Sequence, residues 1–503
     1  MTPVSLLVSV RRSAPFATSS SHRRTASFSI AAALLALLLA APSAAQSSLR
    51  ETTPVPGTPA PLRVPQVHAA RLPNGIALES VEQRELPLVQ VLAVFSGGAR
   101  LDGARPGMAT FVATMLKEGA GAYNAASLQA QVAYLGATLR TSADWDETTV
   151  SLKVPVRSLD SALALMADVI MRPTFAAGDV RTQRDLRLAS LLQQRDDPGD
   201  LASLAFAQTV FPAGHPYHHS GDGDSASTTA LDSASVRAFY RRTLRPDAAR
   251  FIVVGDLTHA DAQASIARHF GRWTSAGAAA TVPAVTVIPL RQTSTHVYFV
   301  DKPDAAQSVI SIGWPGVNRV SADYAALMVM NSLLGGSFTS RLNMNLREQK
   351  GFTYGAGSGF TFRKSPGPFT ASASVRTDVT DSSLVEFFKE LRLVRDTRVP
   401  NEELARAKAY VELGLPGSLE STSQVANSIA ELATFGLPLT DLSRFATQVR
   451  AVTADDVQRV ARRYLTPDQA TVVVVGDRAK VGASIEALKL GPITILEVTK
   501  VAR

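Results

Sequence analysis

An internal echo constrains this chain more than any single motif. Val236, Leu244, Pro246, Asp247, Val253, Val254, Gly255 and Asp256 return as Val457, Leu465, Pro467, Asp468, Val474, Val475, Gly476 and Asp477, every pair 221 residues apart. One Gly-Asp coincidence means nothing, but eight in a single register mark a duplication. In both copies a helix ends near Arg-Arg, Pro-Asp turns the chain, and a Val-rich strand runs into Gly-Asp. A unit with amphipathic helices and apolar strands must hide a sheet face behind helices, so two α+β halves are expected. At 503 residues the chain also exceeds what one core serves.

The local pattern fills in each half. Val89–Phe95 is β-branched and apolar and stops at Gly97-Gly98, which predicts a strand. Helices are predicted from about Pro106 to Lys117, Ala125 to Leu135, Leu159 to Met171, Asp179 to Gln194, Leu201 to Phe211 and His259 to Phe270, with another starting at Ser233. Strands are predicted at 137–141 and 148–154, around an acidic turn holding Asp144, Asp146 and Glu147, and at 251–255. Asp146, Glu147 and Glu118 read as solvated. Residues 274–289 lose helical periodicity and read as the linker between an N-terminal domain (68–273) and a C-terminal one (290–503). Beyond it come a strand at 308–312, a helix over Asp323–Leu334, a hairpin of 355–363 with 369–375, and helices near 384–394, 402–413, 419–434 and 441–449.

The N-terminus carries Arg11, Arg12, Arg23 and Arg24, then an apolar run from Phe28 to Ala41, then Ser43-Ala44-Ala45. That order predicts a secretory signal peptide over 1–45. The run of about 14 residues falls short of the roughly 20 a membrane span needs, which favours cleavage over a retained anchor. Residues 46–67 are rich in Pro, Ser and Thr and read as a flexible tether. Four of the 51 basic residues lie in the leader, so the remainder exceeds the 43 acids by only four, no argument for nucleic acid or an anionic membrane. The absence of cysteine removes disulfides, thiolate metal sites and a lipid-modified cysteine. An exported protein, in a Gram-negative periplasm, is expected.

The most informative stretch is Leu334-Gly-Gly-Ser-Phe-Thr-Ser-Arg-Leu-Asn-Met-Asn-Leu-Arg-Glu-Gln-Lys-Gly-Phe-Thr-Tyr354. Gly335-Gly336 should end one helix through a left-handed cap, Ser340 should cap the next, and Leu342 and Leu346 share its buried face. Gly351 ends that helix, and Phe352 to Tyr354 opens a strand. On spacing alone Arg347 answers the helix macrodipole and Tyr354 packs as a strand residue. A guanidinium and a phenol projecting into one space could instead offer fixed donors to a carbonyl or an oxyanion.

The wording of this stretch resembles the C-terminal half of the pitrilysin/insulinase (M16) metallopeptidase family, of its shorter class that works as paired half-shells. The resemblance covers nearly all of the chain after the leader. It implies a subunit of two duplicated halves forming one side of a clamshell, and it implies that Arg347 and Tyr354 bind substrate near a zinc carried on the other subunit. Active members hold that zinc with H-x-x-E-H on the first helix of the N-terminal half, two imidazoles four apart gripping the ion and the Glu serving as base. Laid on that pattern, Thr110 and Thr114 stand where the histidines belong and Ala113 replaces the Glu. The downstream carboxylate ligand falls near Ala189 or Ser190, judged by Arg195-Asp-Asp-Pro198. Neither hydroxyl is a good zinc ligand and Ala113 can take no proton, so no metal and no catalytic residue are expected in this chain.

The resemblance therefore implies a non-catalytic subunit that pairs with an H-x-x-E-H subunit, zinc being held by that partner, and lends Arg347 and Tyr354 to peptide hydrolysis. The alternative is a non-enzymatic peptide-binding or scaffold protein of the same fold, such as a homodimer. His215-Pro-Tyr-His-His219 is the one histidine cluster, but Pro216 makes it a bent loop and a structural role is expected. No G-x-G-x-x-G loop follows the strands ending at Gly255 and Gly476, and no G-x-S-x-G occurs.

Overall fold

The structure, a computed structural model, describes residues 62–275, 277–281 and 292–502. The expected signal peptide, residues 46–61 of the expected tether and residues 282–289 of the expected linker lie outside the described residues. Residues 62–67 form neither helix nor strand, and Val67 packs against the cluster that holds Val81 and Leu92.

One six-stranded sheet is drawn from residues 68–255. Its strands are β1 (His68–Arg71), β2 (Ala77–Glu82), β3 (Leu88–Ser96), β6 (Thr138–Ala143), β7 (Glu147–Pro155) and β8 (Ala249–Gly255), in the order β1-β2-β8-β3-β7-β6. β4 (Gly119–Ala120) and β5 (Tyr123–Asn124) form a separate two-stranded ribbon. The longer helices here are α1 (Met108–Met115), α2 (Ala125–Tyr134), α3 (Leu159–Met171), α4 (Ala177–Gln194), α5 (Pro198–Val210), α6 (Ser233–Thr243) and α7 (His259–Phe270). The second sheet comprises β9 (His296–Asp301), β10 (Gln307–Pro315), β11 (Thr353–Phe360), β12 (Pro368–Arg376), β13 (Thr471–Gly476) and β14 (Ile493–Leu496), in the order β11-β12-β10-β13-β9-β14. Its helices are α8 (Tyr324–Leu334), α9 (Thr380–Asp396), α10 (Asn401–Gly414), α11 (Thr422–Phe435), α12 (Asp441–Ala451), α13 (Ala454–Tyr464) and α14 (Arg478–Ala487).

The duplicated register holds in space. α6 and α13 start and end 221 residues apart, and the strand after each is central in its sheet. β8 lies antiparallel to β3 with Val91 opposite Val253, as β13 lies antiparallel to β10 with Ser311 opposite Val473. The edges depart from the symmetry. β1 enters antiparallel to β2 from the N-terminal side, whereas β14 arrives from the C-terminal side and runs parallel to β9. β9, α14 and β14 lie outside the pattern that the sequence predicts.

The central strands of each sheet are covered on both faces, and one cover is exchanged. α5 lies on the second sheet, where Leu201, Ala205 and Phe206 join Val300, Val473 and Val475 in one buried cluster. α11 lies on the first, where Val425, Ala426 and Ile429 join Val81, Leu92, Ile252 and Val254. This explains why β13, and β3 apart from the buried Gln90, read as apolar runs and not as alternating ones. Gly313 is required by the same packing, since a Cβ there would lie 2.7 Å from the Phe206 ring and 2.0 Å from the Phe369 carbonyl oxygen. Burying Leu201, Phe206 and Val210 contributes about 1.5–3 kcal/mol each, so neither sheet is fully covered without the other half.

The acidic turn between β6 and β7 sits at this junction, which corrects its reading as solvated. Asp146 is buried and ion-paired to the equally buried Arg100 at 3.3 Å, while its second oxygen accepts from the Lys364 backbone N–H at 3.0 Å. Glu147 accepts from the Thr434 hydroxyl of α11. The Arg363 guanidinium lies 4.3 Å over Tyr217 and 4.9 Å over Trp145. Burial raises the carboxyls of Asp144 and Glu147 above the ordinary range.

Candidate functional site

The first half of the site is the helix that would carry the metal motif. Gly107 caps α1 in the left-handed region at φ 86°, and Asp102 accepts from the Gly107 and Ala109 N–H groups at 2.8 Å each. Ala113 is buried. Thr114 donates to the Thr110 carbonyl at 3.0 Å, and Thr110 donates to the Gly107 and Gly221 carbonyls at 3.0 and 2.9 Å. Both hydroxyls are thus spent on backbone acceptors. Ala189 and Ser190 are exposed on α4, and the residue that reaches α1 is Arg187. Its Nη1 donates to the Gly107 carbonyl at 2.8 Å and the Thr110 hydroxyl at 3.1 Å, and the guanidinium lies 5.0 Å over the Phe111 ring. Burial pushes the Asp102 carboxyl up to about 7, against the pull of the Ala109 and Gly107 N–H groups and of Arg187. A guanidinium beside two engaged hydroxyls does not fit a divalent ion.

The histidines do not converge either. His215 is buried, stacked on Phe211 at 5.1 Å, and its Nδ1 accepts from the Tyr217 N–H at 3.1 Å. Burial, together with the charge of Arg363, holds it down at about 4. His218 turns its Nδ1 to the Phe211 carbonyl at 2.9 Å. Among the described residues no three His, Cys, Asp or Glu groups lie close enough to share a metal ion. A cavity of about 370 Å³ separates Asp102 and Pro106 from Trp145, His215 and Ser365.

The second half of the site lies between α8 and β11. α8 stops at Gly335, but at φ −158°, not in the left-handed cap the glycine pair suggested. Glycine is needed there for close approach, because a Cβ would sit 2.3 Å from the Ser358 N–H nitrogen. Ser340 stands at the next N-terminus without making a side-chain cap bond. Leu342 and Leu346 are fully buried as expected. The helix is α only over Arg341–Asn343 and then widens to a π-helical turn over Met344–Gln349, so Arg347 sits on a turn with one residue too many. Gly351 leaves it at φ 62° and β11 begins at Thr353. The β11–β12 ladder slips between Thr353 and Ala356, so Tyr354 occupies a β-bulge.

These two insertions aim the pair outward. Tyr354 is 92% exposed, and the Arg347 guanidinium lies 4.6 Å over the Phe338 ring with its Nε 3.5 Å from Glu348. No hydrogen bond joins Arg347 to Tyr354 among those found in the described residues. Phe338 is itself 59% exposed, and sequence reasoning did not single it out. Two buried asparagines hold the arrangement. Asn343 donates to the Phe338 carbonyl at 2.7 Å and accepts from the Ala356 N–H at 3.3 Å. Asn345 pins the π turn to α9 through Glu386 at 2.8 Å and Glu390 at 2.7 Å. Partial burial opposes ionisation of Glu386, yet Asn345, Lys389 and Lys350 together hold it down at about 2. A polar residue inside an apolar helix face is the signal that marks both asparagines.

Comparison with known proteins agrees with this architecture. A family model described as insulinase (peptidase family M16) matches residues 79–209, and one described as the peptidase M16 inactive domain matches residues 230–411. An uncharacterized zinc protease of Mycobacterium bovis is 25% identical over 415 residues, covering 82% of this chain and 93% of its own. The crystal structure of a peptidase M16 inactive domain from Pseudomonas fluorescens superposes with a TM-score of 0.76 at 27% identity, over 82% of this chain and 98% of that one. The periplasmic protease PqqL of Escherichia coli shares the fold at a TM-score of 0.67 and 15% identity, over 87% of this chain and 52% of that one. Two duplicated α+β halves with this sheet order, matched across both halves by models of a single family, place the chain in the M16 peptidase family.

Proposed function

We propose that this chain is the zinc-free subunit of a two-subunit M16 peptidase of the periplasm, paired with a subunit that carries H-x-x-E-H. The observation that carries the reading is an asymmetry of exposure. Tyr354, in the bulge at the start of β11, and Phe338 stand open, with Arg347 half-buried on the π turn over the Phe338 ring, while a guanidinium occupies the motif helix of the same chain. Exposed, well-anchored donors suit a ligand supplied from outside the chain. Arg347 and the Tyr354 hydroxyl would donate to carbonyl oxygens of a peptide held at the partner's zinc, adding fixed donors to that site without supplying a base. The likeness to PqqL, a periplasmic protease, and the sequence of the leader support the compartment. No helix among the described residues is long and apolar enough to cross a membrane.

The test is reconstitution. The purified chain is mixed with an H-x-x-E-H subunit from the same compartment, and peptide cleavage and complex formation are followed together. Arg347→Ala and Tyr354→Phe should lower turnover about 10- to 100-fold, the larger loss at Arg347 because only its contact is charge-assisted, with assembly unchanged. Unchanged turnover in both variants, or a stable homodimer that ignores the partner, would favour the scaffold reading.

A further inference from the structure

We infer that the guanidinium of Arg187 has replaced the catalytic ion as the cation that fastens α1 to α4, and that this replacement itself keeps the site from taking up zinc. Three observations meet here. Arg187 Nη1 reaches the Gly107 carbonyl at 2.8 Å, the Thr110 hydroxyl at 3.1 Å and the Asp222 carbonyl at 3.4 Å, with the side chain only 12% exposed. The 221–223 loop is pressed onto the start of α1. A Cβ on Gly107 would lie 2.4 Å from the Asp222 carbonyl oxygen, and one on Gly223 would lie 2.2 Å from that of Pro106. The Asp222 carboxylate answers the charge at 3.9 Å from Nη2, and the Asp102 carboxyl lies close by at the helix start.

The arrangement leaves no room for the lost ligand. Thr110 Oγ1, one bond from Cβ, is already 2.9 Å from the Gly221 carbonyl oxygen and 3.1 Å from Nη1. An imidazole at position 110 would place its ring where the guanidinium stands, and the same fork holds the 221–223 loop over it through the Asp222 carbonyl. An ion beyond it would face a positive charge at contact distance in a site with little water to screen it. Arginine suits the task because its fork serves several acceptors at once and never loses its proton. Loss of the metal is therefore more than loss of ligands. The site has been rebuilt around an internal cation, and putting the ligands back is not enough to reverse it.

The experiment uses the full chain and zinc chloride as the probe, with bound zinc counted by elemental analysis after dialysis. Thr110→His, Thr114→His and Ser190→Glu reinstate the family's ligands and Ala113→Glu its base, once with Arg187 intact and once with Arg187→Ala. The set with Arg187 intact should stay below a tenth of a zinc per chain, and the set lacking Arg187 should approach one. Zinc in the first protein overturns the exclusion, and zinc in neither overturns it as well, because something other than Arg187 would then bar the ion. The fastening role is read separately in the otherwise unaltered chain. Arg187→Met should lower the melting temperature by several degrees and Arg187→Lys should recover little of it, whereas an unchanged melting temperature in Arg187→Met overturns that role.

Discussion

Asp146→Ala is the sharpest test of how the two halves are joined. Asp146 and Arg100 are 5% and 3% exposed at the side chain, 3.3 Å apart, and the second carboxylate oxygen holds the Lys364 N–H from the other half. Removing one partner of a buried pair costs about 3–5 kcal/mol, because the remaining charge loses the group that offset its desolvation. Unfolding entropy of about 2.1 cal/mol/K per residue over the roughly 440 residues of the compact unit gives about 0.9 kcal/mol/K. The expected fall in melting temperature is therefore about 3–5 °C by differential scanning calorimetry. Asp146→Asn keeps one acceptor toward Lys364 and should lose less. The double variant Arg100→Met/Asp146→Leu should recover most of the loss, since apolar replacement of both partners is often neutral. A shift below about 1 °C in Asp146→Ala would show that the pair does not hold the junction.

Three further outcomes follow from local geometry. Asp102 has a folded pKa of about 7 against an ordinary 3.8, so the native chain keeps a proton that the unfolded chain releases. Its contribution is fully present below about pH 4 and is lost as pH rises to about 7. Urea midpoints should fall across that window, and Asp102→Asn should flatten the slope; an unaltered slope would remove Asp102 as its source. Gly107→Ala forces a side chain into φ 86° and onto the Asp222 carbonyl, and should cost at least about 1–3 kcal/mol by urea titration. Gly414→Ala meets nothing within 4 Å at the end of α10 and should stabilise by about 0.4–1 kcal/mol, a loss instead showing that the position is more crowded than its geometry indicates.

Much of the architecture was legible before any coordinates because it is local. α3 and α7 run over the predicted residues, Leu159–Met171 and His259–Phe270, since apolar spacing and the flanking Pro173 and Gly271 punctuate them. The paired α6–β8 and α13–β13 units announced the duplication by plain identity. The missing histidines and glutamate needed only a register on one helix. The failures share a cause, which is dependence on residues distant in the chain. Gly335 looked like a left-handed cap, but its reason is Ser358, 23 positions on. Asp146 looked solvated because its neighbours are acidic, and its burial is decided by Arg100 and by a backbone group at 364.

What the residues determined unaided is a list of elements, a twofold repeat and the absence of H-x-x-E-H from the first helix, all properties of short windows or of self-comparison. Only the tertiary structure decided which sheet each of α5 and α11 covers, because unbroken apolar strands accept a helix on either face and periodicity names no partner. It alone brought Arg187 across 77 positions to Thr110. A charge can stand in for an ion only where the fold has already emptied that place of water and surrounded it with acceptors.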